Sequence, residues 1–136
     1  MSLTLTRADG TTDIAFALQQ SVGNQRIFVN PGSTIAEPET ITIQSFLKPP
    51  GAKGSDRFLF KAQKTFQEDA TGNTIYVSAK MEITIPRSTE SGLTTAMSDQ
   101  VAFLKCFTKA SVLTALLAGV IPADGADLHV DTFVPA

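Results

Sequence analysis

Between Thr74 and Ile85 the chain alternates without a break. Ile75, Val77, Ala79, Met81, Ile83 and Ile85 form an apolar set, and Thr74, Tyr76, Ser78, Lys80, Glu82 and Thr84 a polar one. A period of two held this long predicts a strand with one wet face. Arg57–Phe66 follows the same rule. Phe58, Phe60, Ala62 and Phe66 share one side, with Lys64 as the exception, and Arg57, Leu59, Lys61, Gln63 and Thr65 share the other. In Thr40–Lys48, Ile41, Ile43, Ser45 and Leu47 face one way and Thr40, Thr42, Gln44, Phe46 and Lys48 the other. Shorter strands are expected at Leu3–Thr6, Ile14–Leu18 and Arg26–Val29. Asp9-Gly10 between the first two predicts a hairpin with a type I′ turn, which needs positive φ. Asn30-Pro31-Gly32, Pro49–Ser55 and Gln67–Asn73 read as loops, and Pro86 closes the longest strand.

After Pro86 the period changes. Ser98-Asp99 predicts a helix start, with a capping hydroxyl and an acid at the positive end of the dipole. Val101, Leu104, Cys106 and Phe107 then recur at helical spacing. Ser111 is positioned to cap a second helix through Val112, Leu113, Leu116 and Leu117, stopped by Gly119 and Pro122. Antiparallel strands followed by two C-terminal helices define an α+β class. The expectation is one domain, with a sheet over about 3–86, helices over about 98–119 and a tail over 120–136. Two helices of about ten residues span only ~15 Å each, little cover for three long apolar strand faces. Either a two-fold partner supplies the rest, or the helices fold back on their own sheet.

The chain has 136 residues, enough for an ordinary core. With 43% hydrophobic and 18% charged residues and a formal charge of −2, it has neither a disordered composition nor a basic tail. Nucleic acid, if bound, must meet a local patch on a folded surface. The single cysteine, Cys106, excludes an intramolecular disulfide and a cysteine zinc site, and its apolar neighbours predict a buried, inert thiol. Met1–Thr6 has neither the charged nor the apolar region of a signal peptide, and Val112–Ile121 falls short of the ~20 residues that span a bilayer. No membrane partner is expected. Asp127, His129 and Asp131 share a strand face, but without a second histidine or a cysteine such a cluster is more often solvated, so no metal or cofactor is expected. Pro49–Ser55 superficially resembles a phosphate loop but lacks its Gly-Lys-Ser/Thr end and a following helix. No catalytic constellation stands out, and a non-enzyme is expected.

The polar faces of the three long strands collect Thr40, Thr42, Gln44, Arg57, Lys61, Gln63, Tyr76, Ser78, Lys80 and Glu82. Cations for phosphate, hydroxyls and amides for base edges and a tyrosine for stacking suit RNA. By pattern alone, the ordinary wet side of a sheet looks the same.

Met81-Glu82-Ile83-Thr84-Ile85-Pro86 resembles the end of the last strand in coat proteins of the single-stranded RNA bacteriophages, the levivirus group. Ser98-Asp99, with Lys105 seven residues after the serine, resembles the start of their first helix. The order of hairpin, short strand, three long strands and two helices is also similar, over roughly residues 3–119. The resemblance implies an interlocked homodimer with a continuous sheet whose helices reach over the partner. It further implies an icosahedral shell around genomic RNA, located in the virion and assembled in the host bacterial cytoplasm. The polar face would grip an RNA hairpin, and Gln67–Asn73 would cluster at the shell's symmetry axes. Two segments depart from the family, the long connection 87–97 and the tail after Gly119. Leu59 stands where well-known members carry a small hydroxyl residue lining an adenine pocket. The contrasting expectation is a small α+β ligand-binding module without higher assembly.

Overall fold

The structure is a computed structural model that describes residues 1–105 and 110–119. Six strands follow one another: β1 Ser2–Thr6, β2 Asp13–Val22, β3 Gln25–Val29, β4 Glu39–Phe46, β5 Ser55–Gln67 and β6 Thr74–Pro86. Each neighbours the next in a single sheet of order β1-β2-β3-β4-β5-β6, and the β2 to β6 ladders are antiparallel. The helices are α1 Leu93–Leu104 and α2 Ala110–Leu117. This is the expected α+β order. The chain forms two compact units. One is the sheet, Met1–Leu5 with Asp13–Arg87, and the other is Thr6–Thr12 with the described residues from Ser88 onward.

Directly opposed residues of an antiparallel ladder share a face, so the register assigns every side. Thr42 opposes Ile27 and Lys61, and Lys61 opposes Lys80. Gln25, Ile27 and Val29 of β3 therefore join the polar residues of β4, β5 and β6. On the other face Phe28, Ile41, Ala62 and Ala79 form one row, and Ile43, Phe60 and Met81 belong to the next. Lys64 lies on this apolar side, opposite Glu39 and Val77. The apolar face is buried at one end, where Phe16 and Phe28 are about 5% and 4% exposed. It opens toward β6, where Phe60, Met81 and Val77 remain 37%, 38% and 52% exposed.

Several local expectations are corrected. The β1–β2 turn is not type I′, because among the described residues only glycines have positive φ. Arg7–Gly10 closes through Gly10 N–H to Arg7 O at 3.0 Å, and Gly10 alone turns left-handed at φ 76°. The Asp9 carboxylate does the rest, accepting the amides of Thr11 and Thr12 at 2.8 Å each and the Thr12 hydroxyl. These bonds, the Thr12 hydroxyl foremost, lower the Asp9 pKa to about 2.

Helix α1 starts at Leu93, so Ser98 and Asp99 lie inside it, and its N-cap is Gly92 without a side-chain cap. Leu93, Met97 and Val101 are half-buried at a spacing of four. That stripe, with the strong helix former Ala96, extends the helix upstream past the capping signal. Helix α2 starts at Ala110, one residue before the expected Ser111 cap, and ends where Gly119 turns left-handed at φ 76°. Val112 is buried, whereas Leu113, Leu116 and Leu117 are exposed. Cys106 and Asp127–Asp131 lie outside the described residues. Among the described residues no cluster could hold a metal ion, and no helix is long and apolar enough to cross a membrane.

Candidate nucleic-acid interface

All ten residues expected on the polar surface fall on one face, in register. Thr40, Gln63 and Ser78 make one row across three strands, and Thr42, Lys61 and Lys80 the next. Gln44, Leu59 and Glu82 follow, then Phe46, Arg57 and Thr84. Tyr76 stands beside Thr65 beyond the first of these rows and is 70% exposed. Gln63 lies six residue steps beyond Arg57, so at ~3.3 Å per step these four rows cover about 20 Å along the strands.

Three cations, Arg57, Lys61 and Lys80, share this surface with one carboxylate, Glu82. Lys61 and Lys80 are direct cross-strand partners. Such a pair holds its Cβ atoms about 5 Å apart, and like charges in that position are destabilising. An anion placed between them would relieve the repulsion, so the row is suited to a phosphate. Glu82 is partly neutralised by Arg57 at 3.6 Å, both side chains being half-exposed. The same guanidinium lies over the Phe46 ring, 4.8 Å from its centroid, within cation–π range. Leu59 sits between Gln44 and Glu82 and contributes no polar group to its row.

Beyond the last row, the β4–β5 loop is held from below. Arg87 donates to both carboxylate oxygens of Asp56 through Nε at 3.2 Å, to Pro49 O through Nη1 at 2.7 Å and to Lys48 O through Nη2. The Asp56 carboxylate also accepts the Lys48 amide at 2.8 Å. The Lys48 amide and then the Arg87 guanidinium hold its carboxyl below the ordinary range. Pro49–Ser55 is thus a clamped hairpin loop and not a phosphate cradle.

Alternation places Phe46 and Lys48 on this side but gives no reason to count them in the site. No local pattern points to Asn24 or Gln25. Gln25 reaches the face because β3 pairs with β4 in the register Gln25–Gln44, and no local pattern encodes a partner strand.

No family model and no curated protein matches the sequence. Solved structures do resemble the chain. One is a virus-like particle of Wenzhou levi-like virus 4, at TM-score 0.66 and 17% identity, covering 89% of this chain and 83% of that one. Another is a virus-like particle of Beihai levi-like virus 21, at TM-score 0.65 and 15% identity, covering 91% and 97%. A third is the capsid protein of bacteriophage GA, at TM-score 0.55 and 14% identity, covering 88% and 94%. The six-stranded antiparallel sheet with two C-terminal helices is the RNA-phage coat-protein fold.

Proposed function

We propose that this chain, which has the RNA-phage coat-protein fold, is a capsid subunit that dimerises through its sheet, assembles into a shell and packs RNA against the polar face. The observation that carries the proposal is β6. It is a 13-residue strand at the end of the sheet, hydrogen-bonded to β5 alone among the described strands. Its apolar side chains Val77, Ala79 and Met81 are exposed. A long edge strand with one exposed apolar face, its charges Lys80 and Glu82 confined to the other face, is an open template for another strand. Pairing with a second β6 around a two-fold axis satisfies the free backbone groups and continues the sheet.

The exposed leucines of α2 supply an apolar surface suited to cover the partner's sheet, so the helices and the uncovered face answer one another between copies. In such a dimer the Thr42–Lys61–Lys80 row is doubled. A cationic surface then forms on a chain whose formal charge is −2. Phosphate neutralisation at that surface provides affinity for RNA, and Thr42, Gln44 and Ser78 supply the neutral groups that read bases. The molecule works as a binding and assembly unit in the virion, formed in the cytoplasm of the bacterial host, and no catalytic step is assigned to it.

Sedimentation of the expressed protein, with and without nuclease treatment, tests this reading. The expected result is a fast, uniform species carrying nuclease-resistant RNA, which dissociates to dimers. A stable folded monomer at micromolar concentration would overturn it.

A further inference from the structure

We propose that the concavity at the Phe46–Arg57 end of the polar face is a stacking site for one unpaired nucleobase of the RNA, with Lys48 placed to meet its phosphate. This inference rests on the reading of that face as an RNA surface and assigns it a second contact point. The concavity has a volume of about 400 Å³ and is lined by Asn24, Phe46, Leu47, Lys48 and Arg57, among others. That lies within the usual range of ~300–1,000 Å³ for sites that hold a small organic group.

Its chemistry is specific. Phe46 is 36% exposed and its ring carries the Arg57 guanidinium at 4.8 Å. An aromatic ring and a guanidinium plane are the two side-chain surfaces on which unstacked bases lie. The carboxylates nearby are already engaged, Glu82 by Arg57 at 3.6 Å and Asp56 by Arg87 at 3.1 Å.

The site is also preformed. The Asn24 side-chain amide donates to Ser45 O, and Ser45 N–H returns to Asn24 O at 3.1 Å. These bonds join the β2–β3 turn to the end of β4. On the other side, Arg87 and Asp56 fix the backbone of Lys48 and Pro49. Little ordering remains to be done when a ligand arrives. Arg57 lies four residues from Lys61 along β5, about 13 Å at ~3.3 Å per residue. One strand of RNA can thus touch the lysine row and still place a base here.

The test uses purified wild-type dimer and two probes of equal length and charge, a ten-nucleotide oligo(A) and its abasic counterpart, followed by fluorescence anisotropy. Phe46→Ala should weaken oligo(A) binding about ten-fold, the scale of one base–aromatic stack, and leave abasic binding unchanged. Phe46→Trp should restore it. Arg57→Lys, which keeps the charge and loses the plane, should act like Phe46→Ala. Lys61→Ala should weaken both probes equally. The inference is overturned if Phe46→Ala affects both probes alike or neither, even while Lys61→Ala weakens both. If wild-type protein binds neither probe, the RNA reading falls, and the stacking site with it.

Discussion

Lys61→Ala, Lys80→Ala and Lys64→Ala form a matched set, because the register places the first two on the polar face and the third on the apolar one. Each neutralised phosphate contributes about 0.7–0.9 to the slope of log affinity against log salt. Over a four-fold range of salt, one such contact accounts for about a three-fold change in affinity. In a two-fold dimer, each substitution removes two ammonium groups. If the RNA engages both copies, the slope should flatten by about 1.4–1.8, and if it engages one, by about half that. Filter-binding titrations with one RNA hairpin across a salt series read these slopes directly. Lys61→Ala and Lys80→Ala should flatten the slope alike, and the double variant should lose less than their sum if both ammoniums serve one phosphate. Lys64→Ala should leave the slope unchanged. Equal flattening by Lys64→Ala would refute the face assignment and the RNA surface built on it.

Further outcomes are expected. Val77→Asp puts a charge on the exposed apolar part of β6, so the monomer should keep its circular dichroism while the dimer is lost in size-exclusion chromatography, since a buried unpaired charge costs several kcal/mol. Deleting Asp69–Gly72 from the β5–β6 loop should change particle size or stop assembly while dimers survive, because that loop is expected at the shell's symmetry axes. Gly72 there turns left-handed at φ 71°, within a hydrogen-bonded loop closed by Glu68 and Asn73. The Asp9 pKa is depressed from the ordinary 3.8 to about 2. Its contribution to stability is therefore complete above the unfolded value and lost as pH falls through that window. Acid unfolding of Asp9→Ala followed by circular dichroism should be flatter there than wild type. Arg87→Ala should raise hydrogen exchange at Lys48–Gly54 without changing exchange in β6, because the Arg87 guanidinium holds that loop through Lys48 O, Pro49 O and the Asp56 carboxylate.

Much of the sheet was legible because alternation is a local property. Lys64 was placed on the apolar side by parity alone, and the register agrees. The six strands, their order along the chain and the ten polar-face residues followed from the same rule. What failed was local chemistry with more than one solution. Asp9-Gly10 satisfies a type I′ turn on paper, yet the Asp9 carboxylate and a single left-handed glycine close the same hairpin with less strain. Ser98-Asp99 is a sound capping pair, but Leu93, Ala96 and Met97 continue the helix upstream. The stripe Leu93, Met97, Val101 was present in the sequence and would have shown it. Asn24 could not be found that way, because its role depends on which turn lies beside the end of β4. That is fixed by the β3–β4 register, which is non-local.

Electron microscopy of the expressed protein tests the central claim most directly. The coat-protein account predicts closed particles of uniform size with density for RNA inside the shell. A preparation containing only well-folded monomers or simple dimers, with no particle across a range of salt and protein concentration, would contradict it.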